Sequence, residues 1–473
     1  MNKSLNLITF TNILEKISTL ILIPVLANVL GKELFGFWTQ AQVLIPIFLM
    51  ILLFNLDALL VNDFSKKNID EFKIHISKFF LMLKTNVLLF TLFLILHLLF
   101  PNFFSFLFFD KFGNFLLILA VLFYFFSEAL LSTSITLCKV TGNHFITGLT
   151  LFLKLLIKLF CIAMIAIFEL SMQSLLFSIS ALYFFLSAIF IKMILSEGNI
   201  SFEIFKKSGD SLSTIKASMT FSIIGIGMFF AANTDRFVVL NIRGIEEVAM
   251  YSAAWSLGSL ATITFFVFSP IIYPMFAAYK DVNDLEIKNI IQSFNSVFFI
   301  VFLPSIYIFF IYSDELFSLI QIKFLLNSNT QAALIAASVG AITYFNYLIY
   351  MPLVSMEKKI VMYSLLSITI SKFILMPFFV IYNYELIGLG SILSILLGIF
   401  VLFRLSSFNS SELFNVSFTF KPIILIGCSY LFVLLISATT KISNIESLFI
   451  EVIFIGCLSF IVNKELRALI FYK

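Results

Sequence analysis

Apolar stretches long enough to cross a bilayer recur fourteen times along the chain, at about residues 9–30, 39–61, 78–100, 115–138, 147–168, 173–195, 215–240, 248–276, 292–312, 331–356, 360–382, 385–405, 420–437 and 446–462. A helix needs about 20 apolar residues to cross the hydrocarbon, and few soluble folds repeat such a length even twice. Inside lipid every backbone amide must be bonded within the protein, so only helices or a closed barrel are available. A barrel strand alternates polar and apolar residues, whereas the run 88–100, LLFTLFLILHLLF, is continuous. The chain is therefore expected to be an all-α integral membrane protein with about 14 transmembrane helices. The last two spans are the shortest, and 12 is the fallback. Composition agrees: 61% of the residues are hydrophobic and 12% charged, against about 25% charged in soluble domains. That balance excludes soluble, disordered and nucleic-acid-binding classes, and no nucleic-acid partner is expected.

Basic residues set the orientation, because cytoplasmic loops are enriched in Lys and Arg. Nineteen of the thirty lie in loops or ends on one side, among them Lys66, Lys67, Lys206, Lys207, Lys358 and Lys359. Five lie on the other: Lys32, Lys111, Arg243, Lys323 and Lys441. Both termini are expected to be cytoplasmic, with residues 9–30 an uncleaved first helix. Cys138, Cys161, Cys428 and Cys457 form no CxxC pair, and His75, His97 and His144 lack ligand spacing. With no phosphate loop and no nucleophile motif either, no catalytic residue, metal or cofactor is expected. The chain reads as a non-enzyme.

An internal repeat organises the spans. NVLGKELFGFWTQA (28–41) aligns without gaps on NIRGIEEVAMYSAA (241–254), pairing Asn28 with Asn241, Gly31 with Gly244, Glu33 with Glu246 and Ala41 with Ala254. The same offset of 213 lays the first helix on the seventh. Six helices per copy make the repeats parallel, related by an axis along the membrane normal. The expected divisions are a six-helix bundle at 1–200, a cytoplasmic linker at 201–214, a second bundle at 215–405, and two further helices with a tail at 406–473. Two such bundles around a central cleft suit a carrier working by alternating access.

The residues LGKELFGFW (30–38), NTDRFVVLNIRGIEEVAMYSAAWSL (233–257), MEKKIVMYSLLSI (356–368) and LIGLGSILS (386–394) resemble the multidrug/oligosaccharidyl-lipid/polysaccharide exporter superfamily. Within it the chain looks most like the bacterial polysaccharide flippases, over most of residues 1–405. The Arg-rich cavity of the lipid II flippase branch is missing, which points away from a peptidoglycan precursor as cargo. The resemblance implies flipping of a polyprenyl-diphosphate-linked oligosaccharide, for O-antigen (lipopolysaccharide) or capsule. It implies as partners that lipid-linked oligosaccharide, membrane lipid, and a polysaccharide polymerase with its chain-length machinery, with the flippase itself a monomer. Proton or sodium coupling is open. Two rivals stand: a cation-coupled drug or metabolite antiporter of the same fold, and a membrane-embedded polymerase or glycosyltransferase. The first wants a carboxylate-centred cation site, and the second a large outer loop that this chain lacks.

Charges inside the spans are the candidate site, since each costs at least about 2.5–3.5 kcal/mol in the bilayer centre without a partner or water. On the first helix Asn12, Lys16 and Thr19 form a polar stripe with Glu15 beside it, read as cavity lining or as a local polar contact. Glu128 is expected to face Lys158, leaving Lys154, one turn away, in want of an anion that the substrate supplies. Asp235 and Arg236 sit near the outer end of the seventh helix, as a gate or a static cap. Lys372 is expected to find no carboxylate at its depth, and so to face water or a substrate phosphate or to be proton-labile, with a purely structural role as the other reading. Candidate binding residues are therefore Asn12, Glu15, Lys16, Lys154, Lys158 and Lys372, with Asp235 and Arg236 for gating. Asp57 and Lys84 are near span ends and read as snorkelling. Tyr344, Tyr347 and Tyr350 read as core packing before sugar stacking. Pro24, Pro46, Pro270, Pro274, Pro304, Pro352 and Pro377 offer bends.

Overall fold

The computed structural model describes residues 2–53, 56, 72–100, 115–140, 144–197, 211–259, 262, 285–319, 329–349, 357–406, 426, 446–448 and 450–455. Every regular element among them is helical: α1 (Asn2–Leu53), α2 (Phe72–Leu99), α3 (Phe115–Val140), α4 (His144–Phe168), α5 (Met172–Glu197), α6 (Ser211–Arg243), α7 (Ile245–Gly258), α8 (Leu285–Leu319), α9 (Asn329–Leu348), α10 (Lys358–Tyr382), a 3-10 turn Tyr384–Leu386, and α11 (Ile387–Leu405). Nine candidate membrane spans, long and apolar enough, lie among the described residues. The span expected at 420–437 and most of that at 446–462 fall outside them.

The first two expected spans are one element, α1, broken at Gly31 with φ 75° and ψ 171°. Its repeat mate Gly244 separates α6 from α7 with φ 91° and ψ −179°. These are the described glycines with positive φ. That corner of backbone space is open essentially to glycine only. The repeat thus reappears as one bend used twice. Helix starts follow it: α2 begins at Phe72 and α8 at Leu285, 213 residues on, while α4 begins at His144 and α10 at Lys358, 214 residues on.

Two compact units divide the chain at Met1–Phe229 and Phe230–Lys473, within α6 rather than in the loop before it. In the first unit α3 packs on α1, α2, α4 and α5, and α4 packs on both α1 and α5. Its buried face carries Tyr124, Phe125 and Ala129, and Phe90 stacks on Phe126 at 4.1 Å. In the second unit α9 packs on α7, α8 and α11, and α10 on α11. These are the repeat equivalents of the first unit's packings. Outward faces carry large apolar side chains, such as Phe160, Phe185, Phe373 and Phe400, as a lipid-facing surface requires.

Backbone angles leave the helical region at the glycine pair and not at Pro304 or Pro377. Pro304 and Pro377 lie inside α8 and α10, and α8 departs from helical geometry at Tyr312, two turns beyond its proline. Pro270, Pro274 and Pro352 lie outside the described residues. Tyr344 and Tyr347 are core: Tyr344 donates to Asn295 Oδ1 at 3.1 Å, and Tyr347 stacks on Phe294 at 3.8 Å. Tyr350 is outside the described residues.

Candidate functional site

In the first unit a polar cluster forms where α1, α3 and α4 meet. Trp38 and Gln42 are one turn apart on α1 and share a face. Lys158 on α4 donates from Nζ to Gln42 Oε1 at 3.0 Å and lies 5.4 Å from the centre of the Trp38 ring. Gln42 Nε2 in turn donates to the Tyr124 hydroxyl at 3.0 Å. Glu128 accepts a hydrogen bond from Lys154, one turn before Lys158. The expected pairing is therefore corrected: Glu128 takes Lys154, and Lys158 takes an amide and an aromatic face. The turn of α4 on α3 decides which ammonium arrives, and sequence spacing carries no record of that rotation.

The second unit places its cluster on α6, α7, α10 and α11. Lys372 Nζ donates to Asp235 Oδ2 at 3.2 Å, with both side chains fully buried. Tyr251 and Ser391 donate to the same oxygen, Ser391 at 3.2 Å, and the Arg236 amide donates to Oδ1 at 3.1 Å. The expectation that Lys372 lacks a carboxylate at its depth is thus wrong. α6 extends to Arg243, so Asp235 lies deeper than a span ending at 240 implied, and the lysine stem covers the remaining distance. A single register fixes the depth: Lys372 meets Asp235, Val380 meets Arg243, and Tyr384 meets Glu247, each 137 residues apart. Helices α6 and α10 therefore run parallel and in step, with Arg243 Nε and Nη2 on the Val380 carbonyl at 3.0 and 2.8 Å.

Arg236 does not share the pair. Its guanidinium lies 5.0 Å from the Trp255 ring centre and 6.0 Å from that of Tyr251. It is 5% exposed, and its Nε is buried without a hydrogen bond among the described residues. Tyr251 and Trp255 are again one turn apart, at the positions that Trp38 and Gln42 occupy in the first copy. The 214-residue spacing of α4 and α10 also makes Lys158 the counterpart of Lys372. Sequence reasoning found the charges and missed their platform (Trp38, Gln42, Tyr124, Tyr251, Trp255 and Ser391). The signal was available, because the repeat superimposes Trp38 on Tyr251.

Among the described residues the first cluster holds Lys154, Lys158 and Glu128, and the second Arg236, Lys372 and Asp235. Among the described residues every group hydrogen-bonded to Asp235 is a donor, three on Oδ2 and one on Oδ1. Asn12, Glu15 and Lys16 lie on the helical backbone of α1, and their side chains are outside the described residues. Asp57 is outside them as well, and Lys84 is exposed on α2.

The chain is similar to known proteins at the level of family and fold. No curated protein matches it. Residues 2–280 match the family described as "Polysaccharide biosynthesis protein". Among solved structures, the fold is similar to "Lipid II flippase MurJ, inward closed conformation", with TM-score 0.67 and 14% identity over 98% of this chain and 99% of that one. It is also similar to a mutant of the Vibrio cholerae MATE transporter VcmN, with TM-score 0.57 and 12% identity over 88% of this chain and 100% of that one. All-helical units built on a repeated glycine bend and a family match over more than half the length lead to one assignment: the chain belongs to the family described as "Polysaccharide biosynthesis protein".

Proposed function

We propose that this protein is a flippase that moves a polyprenyl-diphosphate-linked oligosaccharide from the cytoplasmic to the outer leaflet, by alternating access, for O-antigen or capsule synthesis. The observation that carries the reading is the second cluster, where among the described residues two basic side chains, Arg236 and Lys372, surround one carboxylate, Asp235. Lys154 and Lys158 stand with Glu128, and Arg236 and Lys372 with Asp235. A cluster richer in cations than in acids suits an anionic head group, and a diphosphate with sugars is the part of such a lipid that cannot cross unaided. The prenyl tail stays in lipid throughout. The family match and the likeness to a lipid II flippase fold support a lipid-linked cargo.

In this reading Lys154, Lys158 and Lys372 are electrostatic contributors to cargo binding, with Asn12, Glu15 and Lys16 on the first helix. Asp235 and Arg236 change partners as the protein cycles. The working bundles are residues 1–200 and 215–405, joined by 201–214 and followed by 406–473. The protein acts as a monomer in the bacterial plasma membrane with both termini cytoplasmic, beside a polymerase and its chain-length machinery. It performs no covalent chemistry, and a proton or sodium gradient or the membrane potential drives the cycle. The rival reading as a cation-coupled antiporter has less support, since the buried acids already hold the chain's own lysines. Deleting the gene tests the proposal: the lipid-linked unit should accumulate on the cytoplasmic leaflet, and unchanged surface glycan refutes it.

A further inference from the structure

The outward face of α2 differs from those of α4, α5, α10 and α11, which turn phenylalanine rings outward at Phe160, Phe185, Phe373 and Phe400. On α2, Lys84, Val87, Leu88, Leu92 and Ile95 follow the spacing of a single helical stripe. Its side chains line an open groove of about 690 Å³. Thr91 lines it too, but its hydroxyl donates to the Val87 carbonyl at 2.8 Å. Lys84 is the charged member of the described lining, and it takes no ion pair or hydrogen bond among the described residues. The whole helix carries Lys73, Lys78 and Lys84 and no Asp or Glu. The candidate span on α2 starts at Phe80, so Lys84 lies about 6 Å inside it, where its stem still reaches the interface. From Lys84 to Ile95 the groove runs about 16 Å, close to one leaflet of a hydrocarbon core about 30 Å thick. An apolar trough of that length with a cation at its interfacial end has the outline of one phospholipid.

We infer that the trough on α2 is a binding site for an anionic phospholipid, with the lipid phosphate on Lys84 and one acyl chain along Val87, Leu88, Leu92 and Ile95. The lysines of α2, unaccompanied by acids, set the preference for lipid charge. A zwitterionic head group brings a cation of its own to a helix that offers it no carboxylate, whereas an anionic one leaves its phosphate charge to the lysine. In the orientation expected from the loop lysines the Lys84 end is cytoplasmic, and the lipid belongs to the inner leaflet. The opposite face of α2 packs on α1 and α3, with Phe90 buried against Phe126. A lipid seated in the trough braces that wall from outside. The site is separate from the buried clusters, and it stands whether or not the protein flips a lipid-linked glycan.

Tryptophan quenching by brominated lipid tests the site. Full-length protein with Leu92→Trp is reconstituted in mixed phosphatidylglycerol and phosphatidylcholine vesicles, with one lipid or the other brominated on its chains. Quenching beyond that of the parent, whose tryptophans are Trp38 and Trp255, reports what occupies the trough. Phe373→Trp, on the exposed face of α10, reports bulk lipid. Leu92→Trp should show brominated phosphatidylglycerol preferred about fivefold, equivalent to roughly 1 kcal/mol, and Phe373→Trp should show no preference. Adding Lys84→Gln should abolish the preference, and Lys84→Arg should keep it; Lys84 is exposed, so neither change disturbs a core. Equal quenching of Leu92→Trp by the two lipids overturns the site, as does a preference that survives Lys84→Gln or is as strong in Phe373→Trp. Undecaprenyl diphosphate provides the rival occupant. If it displaces brominated phosphatidylglycerol from Leu92→Trp more effectively than plain phosphatidylglycerol does, the trough holds a polyprenyl chain and the assignment to phospholipid falls. If Leu92→Trp incorporates poorly, Leu88→Trp on the same stripe decides by the same criteria.

Discussion

At the scale of single residues, the lysines were legible and their partners were not. Lys154, Lys158 and Lys372 announce themselves because charge in an apolar run demands a reason. Which carboxylate each meets depends on helix rotation and depth, and Glu128 went to Lys154 while Asp235 went to Lys372. The pairing changes what Lys372→Met should do. It leaves Asp235 buried and unpaired, so the variant should lose about 3–5 kcal/mol of stability and its yield should fall. The double variant Asp235→Asn with Lys372→Met removes both charges and should recover most of that loss in thermal unfolding; no recovery would show that the pair is not what K372M breaks. Sodium gives a second check. Because donors surround Asp235, raising sodium at constant ionic strength should leave Trp255 fluorescence unchanged, and a saturable sodium response would mean that Lys372 yields its place to the ion.

At the scale of elements, several spans were legible in place and less so in their ends. The spans at 115–138, 147–168, 173–195, 360–382 and 385–405 coincide with α3, α4, α5, α10 and α11 to within a few residues. The first two spans were expected as separate helices, and α1 instead runs through both with a bend at Gly31. Hydropathy marks where lipid begins, whereas helices continue into water until something stops them, so α6 outran its expected end. That three-residue error put Asp235 at the wrong depth. The glycine pair was visible as an identity in the repeat, yet its backbone role was not, because glycine in sequence does not declare a positive φ. Space is open around both Cα positions, so strain alone governs a substitution. Gly31→Ala and Gly244→Ala should each cost about 1–3 kcal/mol, seen as a lowered unfolding temperature, and unaltered stability in both would remove the bend from the account. Arg243→Ala should loosen the junction of α6 with α10 and speed amide exchange near Val380, while leaving exchange in α3 and α4 as it was.

Over the whole molecule, an even number of helices per repeat implied parallel copies, and the equivalent packings around α3 and α9 carry that duplication into the fold. The family is one of polysaccharide biosynthesis proteins; the cargo is the part that residues do not spell out, because sugars are recognised by few and scattered polar groups. Cationic clusters in both units give the central claim its physical content, and one measurement tests it most directly. Purified protein in proteoliposomes, given a fluorescent polyprenyl-diphosphate oligosaccharide in one leaflet, should expose it in the other at a rate well above protein-free vesicles. Neutralising Lys158 and Arg236 together should remove most of that rate, while a neutral polyprenyl glycoside lacking the diphosphate should move little. Equal movement of the diphosphate and neutral lipids, or none of either by correctly folded protein, would contradict the account.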